Sequence, residues 1–178
     1  MEIYRPTQLN IQLDRLIENF KLLQSYNPKS PFICPMIKAN AYGHGDIAVA
    51  KALIKANCEN LGVSSVEEAI HLRESDVRCN ILVFGFQGRE AARTIVENQF
   101  VPVVSDFDQL GDLCLNLESS LDIHLKINTG MNRLGFNNHE IPGVLNVLDK
   151  NPGLNLVGIG THFHSGGEIT AEKSSAWN

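Results

Sequence analysis

An α/β fold with a mainly parallel sheet is predicted by three features of this 178-residue sequence. Short apolar runs recur along it, amphipathic segments separate them, and chemically capable side chains collect where the runs end. Strands joined through helices need right-handed crossovers, and these make neighbouring strands parallel.

The first element is a helix: Leu13, Leu16, Phe20 and Leu23 recur at helical spacing among Asp14 and Glu18, until Asn27-Pro28 breaks the pattern. The run 31–37 (PFICPMI) reads as a buried strand ending near Lys38, followed by a glycine-containing loop. Asp46 is placed to cap a helix to about residue 57, because Ile47, Ala50, Leu53 and Ile54 share one face. Strand 61–63 precedes a helix over 66–74, strand 81–84 one over 89–98, and strand 101–104 one over 106–115. Strand 121–127 is followed by a helix over 141–150 and by a last strand over 154–160, which makes six strand-like units.

The length suits one domain. A closed barrel needs eight units and about 250 residues. An open doubly wound sheet fits the length, but the first βα loop lacks the G-x-G-x-x-G turn of a dinucleotide site. The residues alone leave both architectures open.

Lys plus Arg number 15 against 20 Asp plus Glu, a net charge of −5, which argues against a nucleic-acid or anionic-membrane surface. With 43% hydrophobic and 20% charged residues the chain has the apolar content of a folding domain. Cys34, Cys58, Cys79 and Cys114 form no C-x-x-C pair and read as thiols of a reducing compartment. The N-terminal MEIYRPTQLNIQLDR lacks the apolar stretch of a signal peptide, and no run is long enough to span a membrane. The expectation is a soluble cytoplasmic protein.

Three strand ends carry the chemistry, where α/β folds bind ligands. Lys38 follows an apolar strand; an amine at the mouth of a desolvated core is an imine-forming nucleophile, although a lysine snorkelling from a strand end looks the same in sequence. Tyr42 adds a phenol between glycine-containing turns. KINTGMNRLGF (126–136) joins Lys126 to a glycine turn and Arg133, whose guanidinium suits a carboxylate or phenolate, or equally a surface acid. His162 and His164 share one face of a strand end, a spacing open to a metal, to cofactor stacking or to a structural histidine. His44, His71, His124 and His139 give no second metal spacing, and no metal is assigned.

Together, RPTQLNIQLDRLIEN (5–19), MIKANAYGHG (36–45) and KINTGMNRLGF resemble the N-terminal part of alanine racemase, a fold-type III pyridoxal 5'-phosphate enzyme. The resemblance runs from about Arg5 to Glu168. It implies an incomplete TIM-type (β/α) barrel with about six of eight βα units over 1–178, without the C-terminal β domain of a full member. It implies that Lys38 holds pyridoxal phosphate as an imine and is one of two proton-transferring bases. Tyr42 then approaches the cofactor phosphate, Arg133 its phenolic oxygen and the substrate carboxylate, and His162 packs on the pyridine ring. Lys126, often carbamylated in the family, supports Arg133.

The implied activity is the interconversion of L- and D-alanine, supplying D-alanine for peptidoglycan. The second base is a tyrosine of the partner subunit's C-terminal domain, outside this chain, and a homodimer is expected of a complete member. Asn128 stands where the family has aspartate, and His164-Ser165-Gly166-Gly167 departs from its usual pattern. Two further readings stay open. One is a non-catalytic pyridoxal-phosphate-binding protein or inactive racemase fragment; on any reading the chain alone is expected to be poorly stable, because its end strands lack neighbours. The other is a metallohydrolase, against which the order of Lys126 and the H-x-H pair argues.

Overall fold

A computed structural model of the chain describes residues 7–26, 28 and 32–164. Arg5 and Pro31, the Ser165-Gly166-Gly167 pattern and the tail after it lie outside the described residues. The elements follow as α1 (Leu13–Tyr26), α2 (Lys38–Gly43), α3 (Asp46–Lys55), β1 (Asn60–Val63), α4 (Val66–Glu74) and β2 (Asn80–Val83). Then come α5 (Arg89–Glu97), β3 (Val101–Val104), α6 (Phe107–Asn116), β4 (Leu121–Ile127), α7 (Ile141–Lys150) and β5 (Leu154–Thr161).

All five strands are parallel, in the order β1-β2-β3-β4-β5. Each new strand is laid beside the one before it, and the order never reverses. A doubly wound sheet reverses at a switch point; successive addition in one direction is how a (β/α) barrel is wound.

The strand predicted over 31–37 is corrected to a single bridge, Met36 with Gly62. Ile37 N–H donates to Gly62 O at 2.8 Å, and Gly62 N–H donates to Pro35 O at 2.9 Å. This segment therefore occupies a further strand position beside β1, the first of the row. Pro35 has no N–H with which to extend the ladder, and after Ile37 the backbone turns into α2. Asp46 is likewise the first residue of α3 rather than its cap, a position taken by Gly45.

Alternation along the strands divides the sheet into two apolar faces. Leu61, Val63, Ile81, Val83, Ile123 and Leu125 pack with Ala69, Leu72, Ile95, Leu110, Leu113 and Val144 of the helices. Leu82, Val101 and Val103 face the other way, with Cys34 and Phe84 against them. That second face is the inner wall of the curved sheet. At the β5 edge only Leu154 is buried, and Leu156, Val157 and Ile159 are exposed.

Candidate active site

KANAYGHG, expected to be a loop, forms instead one left-handed helical turn. Ala39, Asn40, Ala41 and Tyr42 have φ of 49°, 55°, 51° and 55°, and Gly43 and Gly45 follow at 84° and 89°. A left-handed turn costs about 1–2 kcal/mol for each non-glycine residue, so the surroundings must hold it. Ala41 N–H donates to Ile37 O at 2.8 Å and Gly45 N–H to Asn40 O at 3.0 Å. The Asn40 side chain accepts from Asp46 N–H at 3.0 Å, and the Ala41 methyl is buried. The turn leaves Lys38 at the end of the inner wall, with its Nζ 5.9 Å from the centre of the Tyr42 ring.

KINTGMNRLGF closes into a loop that begins and ends at one place. Phe136 N–H donates to Lys126 O and Asn128 N–H to Phe136 O, both at 2.9 Å. Phe136 is fully buried and meets Phe107 edge-on at 5.3 Å. Inside the loop the Asn128 amide uses every hydrogen-bonding position. Its Oδ1 accepts from Gly130 N–H at 3.1 Å and Asn132 N–H at 3.0 Å. Its Nδ2 donates to Asn132 Oδ1 at 2.9 Å and Asn137 Oδ1 at 3.0 Å. An aspartate could do only the accepting half, so asparagine at 128 matches Asn132 and Asn137.

Two threonines tie this loop to the strand before His162. Thr161 Oγ1 donates to Ile127 O at 2.8 Å. Its one proton is thereby used, and Thr129 Oγ1 donates to Thr161 Oγ1 across 2.7 Å.

The left-handed turn after Ile37 and the ends of β4 and β5 meet around one cavity of about 530 Å³, lined by Lys38, Tyr42, Lys126, Arg133 and His162 together. Met36, Phe84 and Val103 supply apolar wall; Ser64, Ser105 and Asn128 supply polar groups. Burial lowers the Lys126 pKa below 10.5, and the neighbouring Arg133 charge lowers it further. An amine so placed gives up its proton more readily than a surface lysine. His164, the other member of the H-x-H pair, does not line the cavity. Among the described residues no group of three or more His, Cys, Asp or Glu is arranged to hold a metal, and no helix is long and apolar enough to cross a membrane.

The chain is similar to known proteins over most of its length. The family described as "Alanine racemase, N-terminal domain" matches residues 11–177. The chain belongs to that family. The alanine racemase of Sorangium cellulosum (strain So ce56) is 39% identical over 168 residues, covering 89% of this chain and 44% of that protein. Alanine racemase 1 of Bacillus subtilis (strain 168) is 35% identical over 167 residues, covering 93% and 43%. The solved structure of alanine racemase from Clostridium difficile 630, in complex with cycloserine, superposes with a TM-score of 0.85 at 31% identity, covering 96% of this chain and 48% of that one. The chain thus spans less than half the length of these alanine racemases.

The donor set fits the pyridoxal phosphate that the alanine racemase resemblance implies. A primary amine on Lys38 suits an aldehyde, the guanidinium of Arg133 suits an anionic oxygen, and the imidazole of His162 and apolar walls suit a flat ring. The reading of the sequence missed Ser64, Thr129, Thr161 and the organising role of Asn128. It also missed Glu68, although Ser65-x-x-Glu68 has the spacing of a helix-capping box.

Proposed function

We propose that this chain carries the cofactor-binding half of an alanine racemase site, which interconverts L- and D-alanine and so makes D-alanine available for peptidoglycan. The observation that carries the reading is the meeting of Lys38, Tyr42, Lys126, Arg133 and His162, from the KANAYGHG turn and the ends of β4 and β5, on one cavity. Lys38 would hold pyridoxal phosphate through its amine, with the Tyr42 hydroxyl toward the phosphate, Arg133 toward the phenolic oxygen and His162 against the ring. When bound, that cofactor withdraws electron density from the substrate Cα and so makes its proton removable.

The chain's own residues do the rest. Lys38 takes or returns a proton on one face of Cα. Arg133 binds the anionic end of the amino acid. Lys126, neutral more readily than a surface lysine, is suited to carbamylation, which would give Arg133 an anionic partner. Inversion requires a second acid/base group on the opposite face of Cα; the resemblance assigns it to a tyrosine of the partner subunit's C-terminal domain.

The test is to titrate the protein with pyridoxal phosphate, follow imine absorbance, trap with borohydride and map the adduct. A Lys38 adduct with turnover of L-alanine supports the full reading. A Lys38 adduct with unchanged optical rotation leaves cofactor binding alone, and no adduct at Lys38 overturns both.

A further inference from the structure

Glu68 lies outside all three motifs, on α4, yet its carboxylate reaches the residue next to Lys38. Oε1 accepts from Ala39 N–H at 2.7 Å. Oε2 accepts from Ser64 N–H at 2.8 Å and from Ser64 Oγ at 2.9 Å. Glu68 is itself fixed at the start of α4, where its own N–H donates to the capping Ser65 Oγ at 3.4 Å. Burial pushes the Glu68 carboxyl up, but the hydrogen bonds from Ala39, Ser64 and Ser65 outweigh it and hold the pKa below its ordinary value. The group is therefore ionised at neutral pH, and its hydrogen bonds are charge-assisted.

Ala39 is the first residue of the left-handed turn, and its N–H belongs to the peptide unit shared with Lys38. Fixing that peptide plane fixes ψ of Lys38, and with it the direction in which the Lys38 side chain leaves the backbone. The same carboxylate holds Ser64, which with Lys38 lines the cavity. We propose that Glu68 is a positioning residue for Lys38: by gripping the Ala39 amide and Ser64 it locks the entrance to the left-handed turn and aims the amine into the cavity. This inference rests on the reading of Lys38 as the cofactor-holding amine.

The experiment compares the 178-residue protein with its Glu68→Ala, Glu68→Gln and Ser65→Ala variants. It measures the pyridoxal phosphate concentration for half-maximal imine formation, hydrogen exchange at the Ala39 amide, and the thermal midpoint. Glu68→Ala removes all three acceptor contacts and is expected to weaken imine formation about tenfold and to speed Ala39 exchange. Glu68→Gln keeps one carbonyl acceptor and is expected to recover part of the affinity. Ser65→Ala removes the helix cap while leaving the carboxylate, so it is expected to lower the thermal midpoint with little change in imine formation. If Glu68→Ala captures the cofactor as the unaltered protein does, or if Ser65→Ala weakens capture equally, the proposal is overturned and the reading of Lys38 stands. If the unaltered protein forms no imine at Lys38, that reading falls, and the proposal with it.

Discussion

Gly158 pairs with His124 in the β4–β5 register, and a Cβ built at Gly158 would lie 2.3 Å from the His124 ring. The ring therefore lies over the glycine and extends along the inner wall to Phe32, with ring centres 5.3 Å apart. Phe32 comes from the segment before α2, so this contact crosses the inner wall from the first strand position to the fifth. Gly158→Ala must displace the ring and is expected to cost about 1–3 kcal/mol. Denaturant unfolding checks this, and the loss should shrink in a His124→Ala background, where a double-mutant cycle isolates the clash.

The same histidine makes stability depend on pH. Burial lowers the His124 pKa below its ordinary 6.5, against the opposing pull of Asp122. Between the lowered value and 6.5 the unfolded chain binds a proton that folded His124 does not, so stability falls as pH drops through that interval. A His124→Phe variant is expected to show a flatter thermal midpoint against pH on the acid side, read by circular dichroism.

Gly135 holds the Arg133 loop shut. Its φ is +119°, and a Cβ there would lie 2.8 Å from Asn128 N and 3.0 Å from Lys126 O, both rigid backbone. Gly135→Ala is expected to destabilise by about 2–4 kcal/mol, from clash and strained backbone together. The loop should open with it, so pyridoxal phosphate binding should weaken more than in a surface control such as Gly111→Ala, where a Cβ meets nothing within 4 Å.

Cys34 lines the cavity but is expected to be inert. Burial, with Cys58 and Cys79 nearby, pushes its thiol up to about 12 from 9.0. At neutral pH it should hold about a thousandfold less thiolate than an ordinary cysteine, since the thiolate is the reactive form. Iodoacetamide labelling followed by mass spectrometry should find Cys34 alkylated far more slowly than a free thiol in the unfolded chain.

Helix and strand positions were legible because they depend on local periodicity. The helices read over 66–74 and 141–150 stand at those residues, and strands 101–104 and 121–127 coincide with β3 and β4. The helix α1 ends at Tyr26, two residues before Pro28, as the proline predicts. Where local pattern misled, a tertiary partner decided. The PFICPMI run looks like a strand in isolation, but Pro35 and the turn after Ile37 leave it one bridge with Gly62.

The α/β alternation, the family and the candidate site residues were legible in the chain alone, because spacing and motif identity are local properties of it. Tertiary structure decided that the strands add in one direction, that Lys38, Lys126, Arg133 and His162 share one cavity, and that Ala39–Tyr42 wind left-handed. A left-handed turn of non-glycine residues is locally unfavourable. Local bonds and the distant Glu68 carboxylate at the Ala39 N–H together hold its backbone, and no local reading of the KANAYGHG motif contains Glu68.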